Sequence, residues 1–244
     1  MPFRELDAQM QAMADALGKP GDLNQALQRI VLAATQTVPG TDYASITARR
    51  GDGRLETLTA TDPLVEEADE LQYELREGPC YDAVTSDPVA YSPDLSTDLT
   101  WPRYGPRVAQ LGLLSQKAVR MYVHDGTLTG LNLYSRSRRA FEDSDGLPEL
   151  FASHASIALG YATELQSLQG AIGTRETIGK AIGIIMERYG LSEERAFEFL
   201  IRLSQNSNIK LRDIAVGVIN VRPRDDDPGK LSPTGWDSAK RPGE

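Results

Sequence analysis

Between residues 171 and 221, apolar residues recur in three successive runs at the spacing of an amphipathic α-helix, and short polar breaks separate the runs. This pattern restricts the C-terminal part of the chain to a small bundle of three helices. Gly190 ends the first helix, and Ser192 is the predicted N-cap of the second. The buried stripe that we predict for the first helix consists of Ile178, Ile182, Ile185, Met186 and Tyr189.

The second and third helices follow from the same spacing. Residues 206–208 end the second helix, because their side chains compete for backbone hydrogen bonds. The third helix runs from Lys210 to about Asn220, and Pro223 stops it. We expect the following side chains to be buried: Ala196, Phe197, Leu200 and Leu203 in the second helix, and Leu211, Ile214, Ala215 and Val218 in the third.

The positions of this stretch that match a known family pattern are Arg175, Ile178, Ala181, Gly183, Ile184, Met186, Ala196, Phe197, Leu200, Ser204, Lys210, Leu211 and Ala215. With them the stretch resembles the ANTAR domain, the RNA-binding module of bacterial transcription antiterminators. One position departs from the family pattern: Ile182 stands where many members have Lys, and Lys180 lies two positions earlier. The basic group that would meet RNA from this turn is therefore displaced.

The distribution of charge points to the same part of the chain. Eight basic and six acidic residues give residues 166–223 a net charge of +2, whereas the other 18 basic and 29 acidic residues give −11. A surface suited to a polyanion is therefore expected in this segment. The alternative interpretation is an ordinary solvated bundle with ion pairs one helical turn apart, such as Glu198 with Arg202.

The amino-acid composition argues against several classes of protein. The chain has one cysteine, Cys80, and two histidines, so we expect no intramolecular disulfide, no metal centre and no cofactor. No segment has the continuous apolar length of a membrane span or a signal peptide. We therefore expect a cytoplasmic protein that makes no contact with a membrane.

Before residue 145, short alternating strands are interspersed with helices. Two turns that contain glycine, residues 50–54 and 125–127, each join two of the strands into a hairpin. The pattern predicts an α+β domain with an antiparallel sheet and with its helices gathered on one side. The predicted helices are residues 3–17, 22–38, 63–73 and 102–111, and the predicted strands are residues 43–49, 55–59, 89–91, 117–124 and 128–134.

Three strings in this part, EGPCYDAV, PDLSTDLTWP and GLNLYSRSRRAF, resemble the GAF domains that precede ANTAR modules in actinobacterial sensors. Thr100 replaces the Arg that usually stands before Trp101 and Pro102, so another residue must make the contacts of that Arg, or they are missing. The resemblance implies an α+β fold, in which a GAF-like antiparallel sheet flanked by helices is followed by a long helix and an all-α three-helix ANTAR bundle. The expected domains are a sensor at 1–165, an RNA-binding domain at 166–223 and a disordered tail at 224–244.

A helical pattern begins at Asp145 and continues into the three-helix segment, so we expect the two domains to share one long helix. Gly179 and Gly183 are small residues four positions apart, and such a pair lets two helices approach closely. This favours a parallel homodimer. The alternative is a flexible hinge at residues 170–173, because each glycine costs a helix about 1 kcal/mol relative to alanine.

Cys80 and Trp101 are the candidate ligand-binding residues of the sensor, for a small molecule that the sequence does not identify. Cys80 follows a Gly-Pro turn near a predicted helix start, which would lower the pKa of its thiol and suit a redox or nucleophilic role. The alternative, which we favour, is a small buried side chain at a turn. Trp101 either walls a ligand cavity or anchors its loop to the core, and we favour the anchor. No catalytic residues are predicted, so we do not expect an enzyme.

Together the two resemblances imply a regulator whose sensor domain receives a signal and whose paired three-helix domains bind paired hexaloop stem-loops in nascent RNA, which prevents transcription termination. The unpaired bases of a loop can be read by hydrogen bonds while the phosphates meet Lys and Arg. The alternatives are a protein-interaction signalling module and a redox enzyme that uses Cys80. The predicted RNA-binding residues are Arg175, Lys180, Arg188, Arg202, Ser204, Asn206, Lys210 and Arg212, of which Arg175 could instead serve the dimer.

Overall fold

The structure is a computed structural model that describes residue 11 and residues 22–122 and 127–221. The chain divides into two compact units, residues 1–167 and 168–244. Three predicted features lie wholly or mostly outside the described residues: the helix at 3–17, the turn at 125–127 and the disordered tail at 224–244.

The first unit contains both helices and strands, and helices alone make up the described part of the second. The long predicted helix is confirmed, and it passes through Gly170 and Gly173 without interruption. In chain order the elements are α1 (Leu23–Thr37), β1 (Tyr43–Arg49), β2 (Leu55–Ala60), α2 (Pro63–Leu75), α3 (Pro79–Thr85), β3 (Val89–Ser92), α4 (Tyr104–Gln110), β4 (Ser115–Tyr122), β5 (Leu128–Ser135), α5 (Leu147–Tyr189), α6 (Glu193–Ser207) and α7 (Leu211–Asn220).

The strands form one antiparallel sheet in the order β2-β1-β5-β4-β3, at the five places that the sequence predicts. The central strand is β5, and in its pairing with β1 Tyr43 lies opposite Tyr134 and Thr47 lies opposite Gly130. A register shift between Ile46 and Thr47 interrupts the pairing of β1 with β2.

Helices cover both faces of the sheet, so the expectation that they gather on one side is wrong. On one face, Ile46 and Leu131 pack in a cluster with α1 and with Phe151 of α5. On the other face, Tyr134 packs with Tyr104 of α4 and with residues of α2. The reason is that consecutive residues of β5 are all buried from Thr129 to Ser135, and a strand buried on both sides needs a layer on each.

Two helices of the first unit, α1 and α2, begin at polar caps. The Asp22 side chain accepts a hydrogen bond from Gln25 N at 2.8 Å and starts α1. The Asp62 side chain accepts one from Leu64 N at 2.8 Å and starts α2, whose first residue is Pro63. These starts fix α2 against the sheet, where it presents buried polar side chains.

The second unit is built around a small apolar core from α5, α6 and α7. The predicted N-cap at Ser192 is confirmed, because its side chain accepts from Arg195 N at 3.5 Å. The expectation that Phe197 is buried is wrong: its side chain is 40% exposed. Phe197 lies beyond the edge of the stripe formed by Ala196 and Leu200, the two fully buried residues of α6. The buried residues of this core are Ala181, Ile185, Ala196, Leu200, Ile214 and Ala215.

Candidate functional site

The exposed face of α6 carries two of the arginines of the second unit. Arg195 and Arg202 are seven residues apart, so they lie on the same side of the helix, and Asn206 follows one turn later. Arg202 Nη2 lies 3.6 Å from Glu198 Oε2. Because both side chains are largely exposed, this ion pair is weak and leaves the guanidinium available to a stronger anion.

The turn between α6 and α7 is held by its own hydrogen bonds. Asn208 ends α6 in the left-handed conformation with φ 55°, which asparagine tolerates better than most residues. Ser204 Oγ donates to the Ile209 carbonyl at 2.6 Å, and Ile209 N donates to the Ser204 carbonyl at 3.2 Å. Ser204 is therefore half-buried and already engaged with the backbone of this turn.

Lys210 and Arg212 are exposed at the start of α7. Lys210 is the N-cap residue, and its side chain makes no capping hydrogen bond. The positive end of the helix dipole adds to the two side-chain charges there. Four exposed polar residues of the predicted set thus fall within eleven residues of chain around one ordered turn. We call them the basic turn: Arg202, Asn206, Lys210 and Arg212.

The other predicted RNA-binding residues lie on α5. Arg175, Lys180 and Arg188 are exposed, and Arg188 occupies the last turn of the helix, where the dipole favours a positive charge. The predicted set therefore divides into the basic turn, three cations on α5, and Ser204, which fixes the turn.

A chain of hydrogen-bonded polar side chains lies on the α2 face of the sheet. We call it the buried polar chain, and it consists of Asp69, Thr57, Tyr73, Thr47 and Cys80. Its successive contacts are Thr57 Oγ1 to Asp69 Oδ2 at 3.0 Å, Thr57 Oγ1 to Tyr73 Oη at 2.8 Å, Tyr73 Oη to Thr47 Oγ1 at 2.6 Å, and Cys80 Sγ to Thr47 Oγ1 at 3.2 Å.

Asp69 is fully buried, and burial raises the pKa of its carboxyl from 3.8 to about 6. Its Oδ1 accepts hydrogen bonds from the Tyr134 hydroxyl and, at 3.3 Å, from Asn132 Nδ2. The other end of that amide, Asn132 Oδ1, is buried without a hydrogen-bond partner in the described part of the chain. Sequence reasoning missed this cluster, although Asp69 falls on the buried stripe of α2 with Val65, Ala68 and Gln72, where a carboxylate is unexpected.

Cys80 is a buried residue at the start of α3, as we favoured. Its backbone N donates to Gln72 Oε1 at 2.7 Å, which ties this helix to α2. Burial raises the pKa of the Cys80 thiol, so the expectation that the helix start lowers this pKa is wrong. Desolvation outweighs the helix dipole because the sulfur has no exposed surface.

Trp101 is almost fully buried, and its Nε1 donates to Asp82 Oδ2 of α3 at 2.9 Å. This contact supports the role of loop anchor. The loop is also pinned by Arg103, whose Nε donates to Glu77 Oε2 at 2.7 Å and whose Nη2 donates to the Leu75 carbonyl at 2.7 Å. In this chain Thr100 precedes Trp101, and the arginine that holds the loop is Arg103, two residues after Trp101.

Among the described residues, no helix has the length and apolarity needed to span a bilayer. Within the same residues, no three His, Cys, Asp or Glu side chains are grouped so that they could hold a metal ion.

Comparisons with known proteins assign the two units. Residues 166–219 match the model of the ANTAR domain. A comparison with curated proteins finds no match. The GAF domain of a phosphoenolpyruvate-protein phosphotransferase from Acinetobacter is similar in structure, with a TM-score of 0.51 and 12% identity over 68% of this chain and 99% of that chain.

Two further solved structures resemble the chain. The N-acylhomoserine lactone dependent LuxR family factor CepR2 from Burkholderia cenocepacia has a TM-score of 0.50 and 20% identity over 65% of this chain and 96% of that one. Bacteriophytochrome RpBphP3 from R. palustris has a TM-score of 0.54 and 11% identity over 83% of this chain and 48% of that one. At these identities the likeness establishes the fold alone.

The sheet with helices on both faces is thus a GAF-like fold, and the bundle that carries the basic turn lies within the segment matched as ANTAR. The chain therefore combines a GAF-like fold with a following segment that matches the model of the ANTAR domain.

Proposed function

We propose that this protein is a cytoplasmic transcription antiterminator that binds paired hexaloop stem-loops in nascent RNA under the control of a signal received by its GAF-like domain. The observation that carries the proposal is the basic turn. It places Lys210 and Arg212, which form no ion pair with the described residues, together with an arginine and an amide around one fixed turn of the domain matched as ANTAR.

The chemistry of the basic turn suits a loop better than a duplex. Lys210 and Arg212 can meet phosphates, and the amide of Asn206 can both donate to and accept from a base edge. Base edges are open to such contacts where RNA is single-stranded, because the deep groove of an RNA duplex excludes side chains. Ser204 supports this surface indirectly, since its hydroxyl holds the backbone between Asn206 and Lys210.

We further propose that the protein acts as a parallel homodimer through α5. The exposed apolar residues of this helix share one face, because they repeat after eleven residues, which is close to three helical turns. The side chains and their exposed fractions are Ile157 at 73%, Tyr161 at 55%, Leu168 at 55% and Ile172 at 58%.

The same spacing continues to Gly179 and Gly183. We call these two glycines, together with Ile157, Tyr161, Leu168 and Ile172, the α5 stripe. A Cβ atom at either glycine would meet no atom of the described residues within 4 Å, so packing among those residues does not require glycine there. Each of these glycines still costs the helix about 1 kcal/mol. Close approach of a second α5 accounts for that cost, and in a parallel pair each position of the stripe faces its own copy.

A dimer explains why the RNA target would be a pair of stem-loops. Two linked hairpins bound by two linked bundles gain affinity from the second, intramolecular contact. Neither protomer then needs a large interface with its own loop.

The test is binding of the full-length protein to RNA that carries two hexaloop hairpins. We expect the double variant Lys210→Ala, Arg212→Ala to weaken binding at least tenfold, which corresponds to about 1.4 kcal/mol. Arg107→Ala removes an exposed arginine from α4 of the first unit and should leave binding unchanged. Equal affinities for the double variant and the wild type would exclude the basic turn as the RNA site.

A second candidate function is favoured by exposed apolar side chains on the bundle. Phe197 of α6 and Val216 and Ile219 of α7 are exposed, and such residues also serve protein–protein contacts. A protein-interaction module would bind a protein partner and would ignore hairpin RNA at low salt. The third possibility, a redox enzyme using Cys80, is disfavoured because the thiol is fully buried and its pKa is raised.

A further inference from the structure

The hydrogen bonds of the buried polar chain all run in one direction, and the groups at its two ends determine which group donates in each. Thr47 Oγ1 accepts hydrogen bonds from Asn132 Nδ2 at 3.0 Å and from Cys80 Sγ at 3.2 Å, so its own hydrogen is left for Tyr73. Tyr73 must then donate to Thr57, and Thr57 donates to Asp69 Oδ2. With an ionised Asp69, every hydrogen of the chain therefore points from Cys80 towards the carboxylate.

A proton on Asp69 cannot be accommodated in this arrangement without a change. Both groups that face Oδ1 act as donors: the Asn132 amide, and the Tyr134 hydroxyl, which already accepts a hydrogen bond from Gln72 Nε2 at 3.1 Å. A proton placed on Oδ1 would oppose them. The neighbour of Oδ2 is the hydroxyl of Thr57, and a hydroxyl can turn from donor to acceptor. The proton therefore belongs on Oδ2, and Thr57 must then donate to Tyr73 instead.

We propose that the buried polar chain is a reversible hydrogen-bond wire: a proton taken up by Asp69 reverses each hydrogen from Thr57 to Thr47, so that Thr47 donates to Cys80 Sγ and the thiol hydrogen turns away from Thr47. The reaction adds one solvent proton to one carboxylate, and the other steps are rotations of O–H and S–H groups. No oxidant or further reactant is needed. The wire lies wholly within the first unit and does not depend on the RNA-binding proposal.

The other titratable groups around Asp69 favour a response of this carboxyl alone. Glu66 on the same helix is exposed and adds a negative charge, which helps to raise the pKa of Asp69. The other such groups are uncharged acids whose pKa values burial raises: Tyr73 on α2, Cys80 on α3, Tyr104 on α4 and Tyr134 on β5. They stay neutral near pH 6, where Asp69 titrates.

The wire would report protonation to several elements at once. It connects α2 through Asp69 and Tyr73 to β2 through Thr57, to β1 through Thr47 and to the start of α3 through Cys80. A change in proton concentration would thus alter how α2 and α3 are held on the sheet. This makes the GAF-like domain responsive to pH without a bound small molecule.

The single cysteine makes the reversal observable by infrared spectroscopy of the full-length protein. The S–H stretch of Cys80 reports the partner of the thiol, and the C=O stretch of a protonated carboxyl reports Asp69. In the wild type we expect the S–H band to shift as pH falls, with a midpoint near pH 6, together with the appearance of the carboxyl band. An S–H band that stays constant while Asp69 becomes protonated would overturn the proposal.

Variants separate the wire from a direct effect of charge. Tyr73→Phe removes one hydroxyl of the wire, so Asp69 should still take up its proton while the S–H band no longer moves. Tyr91→Phe is the matched control, because the Tyr91 hydroxyl has no partner in the described residues, and it should behave like the wild type. Thr57→Val breaks the wire next to Asp69 and serves the same purpose if the Tyr73 variant unfolds. An S–H shift that survives in a folded variant of either residue would also overturn the proposal.

Discussion

Asp69 shows how strongly one residue can depend on its surroundings. In the sequence it is one of many acidic residues, but it falls at a buried position of α2, where no Lys or Arg side chain is hydrogen-bonded to it in the described structure. The folded chain therefore holds a carboxyl whose ionised form is disfavoured by burial.

This buried carboxyl predicts a pH-dependent stability. Burial raises the pKa of Asp69 from 3.8 to about 6, so between these values the folded chain binds more protons than the unfolded chain. The free energy of unfolding should thus fall as pH rises through this window, by on the order of 3 kcal/mol at about 1.4 kcal/mol per pH unit. Asp69→Asn should remove this dependence. Urea unfolding of wild type and variant across the window measures the difference.

The control for this experiment is Glu70→Gln, which removes an exposed carboxylate from the next position of α2. It should keep the pH dependence of the wild type. A wild-type stability that changes with pH no more than that of Asp69→Asn would show that Asp69 ionises normally.

Cys80 should be chemically inert in the folded protein. Its sulfur is buried and the pKa of its thiol is raised, so the reactive thiolate is scarce at neutral pH. We expect a thiol reagent to modify Cys80 at least a hundredfold more slowly than in the urea-unfolded chain, where the thiol is exposed. Rapid labelling of the folded protein would instead support a redox role.

At the scale of elements, α5 combines an exposed apolar stripe with glycines that its own chain does not need. Gly179→Leu should raise the dissociation constant of the dimer at least tenfold, which corresponds to about 1.4 kcal/mol. The leucine side chain would occupy the space in which the second helix packs. Gly170→Leu is the matched control: it changes another exposed glycine of α5, which lies on the opposite side from the α5 stripe. Sedimentation equilibrium measures both.

Within the part of the chain that the structure describes, a Cβ atom at either position meets no other atom within 4 Å, so both variants should fold and raise helix propensity alike. Dimers of equal strength in the two variants would place the homodimer interface elsewhere.

The turn between α6 and α7 predicts how RNA binding depends on salt. If Lys210 and Arg212 contact phosphates of a single strand, each displaces counterions. Each contact then contributes about 0.7 to the slope of log affinity against log salt concentration. Lys210→Ala with Arg212→Ala should therefore reduce the slope by about 1.4, as measured by filter binding at several salt concentrations. A weaker affinity with an unchanged slope would mean that these residues support the turn and do not touch phosphate.

At the scale of the whole molecule, the proposal predicts that two hairpins are bound better than one. The dimer should bind an RNA with two linked hexaloops about 100-fold more tightly than an RNA with one, because the second contact is intramolecular. Gly179→Leu should lose most of this advantage and keep its affinity for the single hairpin. Equal affinity of the wild type for both RNAs would contradict action as a pair.

Much of this fold follows from local patterns in the sequence. Strand alternation, the turn at residues 50–54 and the caps at Ser192 and Asn208 are set by nearby residues, so they could be predicted in place. The long helix was predictable for the same reason. The layers on the sheet were not, because which face a helix covers depends on contacts between residues distant in sequence.

The candidate RNA site divides in the same way. Charge and motif indicated Lys210 and Arg212 as RNA-binding residues. This was possible because a cation on the surface is exposed without the help of any residue distant in sequence. Phe197 was misplaced because the edge of a helical stripe is buried only if a neighbouring helix reaches it. The contact of Ser204 with Ile209 likewise depends on how the chain turns after α6.

By itself, the sequence determined that this chain forms an α+β domain, a long helix and a mildly basic bundle, because period, capping and charge act over a few residues. Only the tertiary structure decided that Asp69, Thr57, Tyr73, Thr47 and Cys80 form one chain of hydrogen bonds and that Asn132 Oδ1 has no hydrogen-bond partner among the described residues. These contacts join residues from four elements, and their energy comes from shared burial away from water, which no local pattern encodes.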